Sequence, residues 1–316
     1  MSTSQFMAPQ GGGIICRRAR AEEIPAAVGM ILGSPAQPAP ALQVAEFINS
    51  SPQRRIDVHG TWVAEISGRL AWAVLPILNP GKTLLLLSAF QMDDSVVPAV
   101  SRLVTEICGH FAEQGVQLAQ VLLEPQHDSA RRLFAAAGFM DIAELIYLQG
   151  QVPRHAKAAV ISQGMRWLEY SAETHGIFAE AILQTYRNSL DCPALSGLRD
   201  IEDVISGHRA TGKFDPTLWR LILQDDRPIG VLLLSGIPQT DGTELVYLGV
   251  VPEARGRGLG TILMRHAMEL TLREHKRRLS LAVDSRNAPA LKLYYRFGMQ
   301  QVATRWAMIR DLRVSS

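Results

Sequence analysis

Short apolar runs bounded by turn residues alternate along this chain with segments whose apolar positions recur every three or four residues. That change of period is the signature of strands interleaved with amphipathic helices. Near the start, Ile14 to Ala19 reads as a strand, followed by helices near 21–32 and 41–48 and by strands 61–66, 70–77 and 82–90. The same order then returns: a strand at 166–170, helices near 173–186 and 201–210, and strands 218–224, 228–234 and 243–251. Ser67-Gly68 and Asp225-Asp226 supply the chemistry of tight hairpin turns between successive strands. Gln149 to Gly164, with Pro153 and little periodicity, reads as a linker. The stretch from Met1 to Gly13 is polar, Gly-rich and without a hydrophobic centre, which predicts a disordered tail and not a signal peptide.

The return extends to individual residues. Val121-Leu122-Leu123-Glu124 is followed by Ser129 to Phe139, and a shift of 160 residues lays Phe134 on Tyr294, Gly138 on Gly298, Leu103 on Leu263 and Val121 on Leu281. A gapless repeat over about 60 residues predicts two copies of one fold, at 14–150 and 165–316, after the tail 1–13 and around a linker at 151–164. The length of 316 residues suits two domains of ordinary size.

Composition adds limits. Apolar residues make up 47% and charged residues 20%, so both copies can bury a core, and a net charge of +2 gives no general attraction to nucleic acid. Pro76, Pro80, Gly81 and Lys82 interrupt the most hydrophobic region, leaving no membrane-spanning run. Cys16, Cys108 and Cys192 share no metal or redox spacing, which favours a reducing compartment and a cytoplasmic location. The basic cluster Arg273 to Arg278 falls near a helix C-terminus, where cations complement the dipole.

One segment carries chemistry. Leu245 to Val251 is a β-favouring run ended by Pro252; after Arg255-Gly256-Arg257-Gly258-Leu259-Gly260, apolar residues 259, 263, 267 and 270 recur at helical spacing. A strand, a glycine turn and a helix start form an anion cradle, because the first helical amides lack partners and the dipole is positive there. Arg255 and Arg257 add cations to it. The glycines at 256, 258 and 260 do not fit the dinucleotide fingerprint, and no Lys-Ser or Lys-Thr pair follows as a P-loop requires. A basic turn without a ligand is the plain alternative.

Arg255, Gly258 and Gly260 at this spacing resemble the coenzyme A pyrophosphate site of the GNAT superfamily of N-acetyltransferases. The run Asn287 to Met299 is similar to the closing GNAT motif, with Met299 in place of the usual Phe. The resemblance covers roughly 165–311 and implies an α/β fold with a mixed α+β sheet, present as two tandem GNAT-type acyl-CoA N-acyltransferase domains. It implies acetyl-CoA as acyl donor, no metal, and cofactor contacts from Val250, Val251, Arg255, Gly256, Arg257, Gly258, Leu259, Gly260 and Asn287. Glu244 begins a strand similar to the fourth strand of histone-type acetyltransferases, which implies it as the base, with an exposed strand-end carboxylate as the plain alternative; Tyr294 is the candidate acid, with a phenol pKa near that of a thiol, or else a packed aromatic. Asn287 also reads as a helix N-cap and Gly298 as the residue ending that helix. Tyr295 is expected to face elsewhere; Asp191-Cys192-Pro193 falls where the family lines its acceptor pocket, with no need for Cys192 as a nucleophile.

The first copy places Ser95, Pro98 and Val100 where the second has Arg255, Gly258 and Gly260, and Asp93 and Asp94 set negative charge where phosphates belong. It therefore reads as a copy that has lost coenzyme binding. His208, His266 and His275 read as surface or helix-end residues. The expected partner is an amine, most simply on a small molecule, with no nucleic acid and no membrane; the chain is expected as a monomer or homodimer. Tandem domains with one inactive copy also resemble mycothiol synthase, while protein N-termini, amino sugars and antibiotics stay open as acceptors. A non-catalytic acyl-CoA sensor or scaffold is the alternative.

Overall fold

The computed structural model describes residues 13–89, 96–155, 158–238 and 240–313. The expected tail, and Asp93, Asp94 and Ser95 of the first copy, lie outside the described residues. The chain divides into two compact units, one made of residues 1–141 with 307–316 and the other of residues 142–306.

In the first unit, strands β1 (Ile14–Arg18), β2 (Trp62–Ile66), β3 (Arg69–Asn79), β4 (Thr83–Ser88) and β5 (Leu118–Leu123) lie side by side in chain order. They are antiparallel except for β4 and β5, which pair in parallel at three positions only, Thr83↔Leu118, Leu84↔Ala119 and Leu85↔Gln120. Residues 307–311 continue the sheet beyond β5, where the Leu312 amide donates to the Gln117 carbonyl at 2.8 Å. Helices α1 (Ile24–Leu32), α2 (Ala41–Ser50), α3 (Val97–Ala112) and α4 (Asp128–Ala136) complete the unit. Ser67 and Gly68 both take positive φ, 52° and 76°, as a tight hairpin twisted in the strand sense demands.

The second unit opens with β6 (Met140–Gln151), which belongs to it from Ile142 onward. Strands β7 (Met165–Glu169), β8 (Trp219–Gln224), β9 (Arg227–Gly236), β10 (Gly242–Val250) and β11 (Arg278–Asp284) follow, with helices α5 (His175–Tyr186), α6 (Ile201–Ala210), α7 (Leu259–Arg273) and α8 (Ala288–Arg296). The order across the sheet is β6-β11-β10-β9-β8-β7, and the first half of β12 (Gln300–Asp311) lies beside β6. One face carries α7 and α8 over Leu245, Leu263, Met264, Leu281 and Val283. The other carries α5 and α6 over Phe178, Ile182, Trp219 and Leu233. Each such side chain contributes about 1.5–3 kcal/mol by leaving water, so the two faces together fix the layer order. Among the described residues no helix is long and apolar enough to cross a membrane.

The 160-residue shift holds at the level of elements: α4 at 128–136 corresponds to α8 at 288–296, and β6 at 140–151 to β12 at 300–311. The last strand of each repeat, however, crosses into the other unit, since 142–151 lies in the second and 307–311 in the first. Periodicity identifies a strand but says nothing about which sheet receives it. The stretch read as linker accordingly begins inside a fold, because Gln149 to Gln151 are β6 and Val152 is fully buried in the second unit's core.

Candidate active site

Strands β10 and β11 run parallel but pair only at Gly242↔Arg278, Thr243↔Leu279 and Glu244↔Ser280. Beyond Glu244, β10 stays on β9 while β11 follows β6, so the two strands diverge into a cleft. A register shift between Leu245 and Tyr247 marks a bulge there, the device by which a strand bends and re-aims its side chains. The Val251 amide donates to the Ile229 carbonyl of β9 at 3.2 Å. Amides alternate sides along a strand, so the N–H of Val250 points the other way, into the cleft.

The glycine turn closes one side. Gly256 and Gly258 have φ of 76° and 82°, the left-handed region, and nothing lies within 4 Å of where a Cβ would stand at either. Gly258 is the N-cap of α7, and among the described residues the amides from Gly256 to Gly260 make no backbone hydrogen bond. Successive free amides, a helix dipole and open space form an anion-binding end. Gly260 has a packing reason as well, for its Cβ would stand 3.0 Å from Leu293 of α8.

The two arginines part company. Arg257 is exposed beside the turn, whereas Arg255 is committed to carbonyls. Its Nε donates to Val250 at 3.0 Å, Nη1 to Asn188 at 2.7 Å, and Nη2 to Thr185 at 3.0 Å and Arg187 at 2.8 Å. These are the orphan carbonyls at the end of α5, plus the peptide oxygen of the residue whose amide faces the cleft. Arg255 therefore shapes the cradle and does not point its charge into it. Sequence could not show this, because both roles require an arginine at this place.

Glu244 stands at the neck of the cleft, half-buried, and burial raises its carboxyl above the usual range. Tyr294 on α8 is 7% exposed, and its phenol is raised by burial and then by the field of Asp191. Tyr295, one residue on, is 47% exposed and faces away, as the helical turn requires. Asn287 accepts from the Ala290 amide at 3.3 Å as the N-cap of α8, and Gly298 ends that helix at φ 75°.

Sequence reasoning missed what holds the segment between α5 and α6 in place. It is clamped to the end of β11: the Asp284 amide donates to Asp191 Oδ1 at 3.1 Å, and the Cys192 amide to Asp284 Oδ2 at 3.2 Å. Asp284 is fully buried, and Arg286 holds it through Nε at 3.0 Å and Nη2 at 2.6 Å. The Cys192 thiol is pushed up to about 12, mainly by burial, so it stays protonated and is a poor nucleophile. On the same face, Thr185 donates to the Ile182 carbonyl and so accepts from the Tyr247 hydroxyl at 2.7 Å. The ring of His208 stacks on Tyr247 at 5.6 Å; burial and then Arg199 push it down to about 4, so it is a neutral interior group. His266 is likewise buried and stacked on Trp167 at 4.0 Å. His208 stands in the last turn of α6, as read, while His266, buried within α7, corrects the surface or helix-end reading, because only its packing partner reveals that its face turns inward. Among the described residues no three potential ligand side chains cluster for a metal.

Comparison with known proteins agrees with this geometry. The sequence pattern of the acetyltransferase (GNAT) family matches residues 183–299, from the end of α5 through α8. A Bacillus subtilis protein assigned as a ribosomal protein bS18-alanine N-acetyltransferase is 45% identical over 60 residues, 19% of this chain and 40% of its own length. The mycothiol acetyltransferase of Beutenbergia cavernae is 38% identical over 93 residues, 28% of this chain and 31% of its own. The chain thus spans well under half of these curated relatives. A GCN5-related N-acetyltransferase from Sphaerobacter thermophilus shares the fold over 95% of this chain and 96% of its own, with a TM-score of 0.59 at 17% identity. With the splayed strands, the glycine-turned helix and the family pattern falling on the same stretch, residues 183–299 form an acetyltransferase domain of the GNAT family.

Proposed function

We propose that the second unit transfers an acetyl group from acetyl-CoA directly to a primary amine. The observation that supports this best is the opening of β10 from β11 directly in front of the free amides at the start of α7, with Glu244 at its neck. The residues fit the donor: the amides from Gly256 to Gly260 and the exposed Arg257 suit a pyrophosphate, with the Leu259 turn lying over it. Val250 at the end of β10 and Val251 after it would border the arm of the coenzyme, and Asn287 caps the start of α8.

Acetyl-CoA supplies the activated thioester. The Val250 N–H donates to the thioester oxygen as it gains negative charge, which is where a preorganised donor contributes most. Arg255 holds the carbonyl of that residue and so its orientation. Glu244 takes a proton from the ammonium, directly or through water, because only the neutral amine has the lone pair that forms the new C–N bond. As the C–S bond breaks, Tyr294 gives its phenolic proton to the departing sulfur and regains one from the nitrogen, which sheds its second proton on becoming an amide; burial keeps the phenol protonated until then. The reading treats the first copy as a fold without a coenzyme site, where Pro98 and Val100 replace the glycines.

The test is calorimetry with acetyl-CoA followed by thiol release with a panel of amines. One coenzyme bound per chain and turnover of at least one amine are expected. Two bound per chain contradict the inactive first copy, binding without turnover favours a sensor, and no binding removes both readings. Gly258→Val is expected to weaken acetyl-CoA binding at least about 10-fold, since it adds bulk where the anion must approach and strains a φ of 82°. The strain itself lowers stability by only about 1–2 kcal/mol, so the variant stays folded.

A further inference from the structure

From Ile142 onward β6, the last strand of the first repeat, is the strand against which β11 of the second unit is laid. Pairing runs without a break from Arg278↔Gln151 to Asp284↔Leu145. It continues past the strand, with the Ser285 amide donating to the Glu144 carbonyl at 2.8 Å and Arg286 Nη2 to the Ile142 carbonyl at 2.6 Å. Alternation then assigns the faces. Ile146 and Leu148 pack in the core beneath α7 and α8, so Tyr147 and Gln149 point to the opposite face. On β11, Leu279, Leu281 and Val283 enter that core, so Ser280 and Ala282 share the face of Tyr147. Thr243 of β10 bonds Thr271 of α7, which places Glu244 on this face too.

One face therefore crosses three strands: Gln149, Ser280 and Glu244 lie in one row, and Tyr147, opposite Ala282, lies in the next. No helix covers it at Ala282, which is exposed, while Tyr147 and Glu244 are half-buried. The phenol of Tyr147 is raised by burial; Arg305 opposes that rise and Glu244 adds to it, so the three groups lie in one another's fields. A carboxylate that receives an amine then has a hydroxyl donor and a cation on the same wall. We infer that Tyr147 binds the acceptor, its O–H donating to a carbonyl or carboxylate oxygen carried next to the amine that Glu244 receives. The acceptor class is an amine with such an oxygen on the neighbouring carbon, and the first repeat supplies part of its site.

This inference rests on the acetyl-transfer reading, and the experiment separates the two. Thiol release by wild-type protein and by Tyr147→Phe is measured with L-alaninamide and with isopropylamine, which lacks the oxygen; glucosamine serves as a third amine. Differences in basicity between the amines cancel when each is compared across the two proteins. The alaninamide-to-isopropylamine ratio of kcat/KM is expected to fall about 3- to 10-fold in Tyr147→Phe, the loss of one hydrogen bond. The change should lie in KM and leave acetyl-CoA binding intact. A ratio within twofold of wild type, or turnover of glucosamine or isopropylamine but not of alaninamide, overturns the Tyr147 assignment alone. Turnover of none by a wild type that binds acetyl-CoA overturns acetyl transfer with it.

Discussion

Glu244→Gln lowers kcat by about 10²–10³-fold while acetyl-CoA binding is retained, because the amide has the shape of the carboxylate but cannot accept a proton. The pH profile makes the assignment specific. Burial raises the Glu244 carboxyl, and only its ionised form is a base, so the logarithm of wild-type kcat/KM climbs with pH until that raised pKa is passed. The bend falls above the ordinary carboxylate range and is absent from the variant. Stability moves the other way. A carboxyl whose folded pKa is raised contributes stability that is present below its unfolded pKa and lost as pH rises through the folded one. Above that folded pKa the wild type has lost it, so there Glu244→Gln should melt at the same temperature or higher. A kcat within threefold of wild type, or a variant with the same bend, would hand the proton to another group.

A fragment starting at Met165, the second copy as the repeat pattern divides it, is expected not to fold, whereas 142–306 gives a cooperative unfolding transition. The shorter fragment leaves the whole of β11 without a partner on one side and removes Leu148 and Val152, both fully buried, from the core. Loss of one buried leucine alone destabilises by about 2–5 kcal/mol, against a total of about 5–15 kcal/mol for a domain. The bared edge also exposes a row of unpaired backbone groups to association. Circular dichroism and analytical ultracentrifugation of the two fragments decide it. A monomeric, cooperatively melting 165–316 fragment would show that β6 is dispensable.

Much of this was legible in the sequence because it depends on short-range rules. The hairpins at Ser67-Gly68 and Asp225-Asp226, the N-cap at Asn287 and the end of α8 at Gly298 each follow from a few neighbouring residues, and they stand as read. The repeat fixed the shift between copies because both kept the spacing of apolar positions. What escaped depends on partners far along the chain. The destination of 142–151, the use of Arg255 as a tie for the end of α5, and the clamp between Asp191 and Asp284 join residues 67 to 144 positions apart or strands from different repeats. The burial of His266 was hidden for a similar reason: its helix shows polar residues on several sides, and the stacking ring of Trp167 comes from a distant strand.

The crossing of the final strands also sets an order in time. The sheet edge at β5 is finished only by residues 307–311, which are synthesised after the whole of the second unit. The intervening 165 residues, 142–306, take about 10–30 s to make at 5–20 residues per second. Through that interval the nascent first unit carries an open edge, while the second unit already holds its borrowed strand when its own β11 emerges. On the ribosome the second unit is thus complete first, and the first unit must wait for residues 307–311 to emerge before it closes.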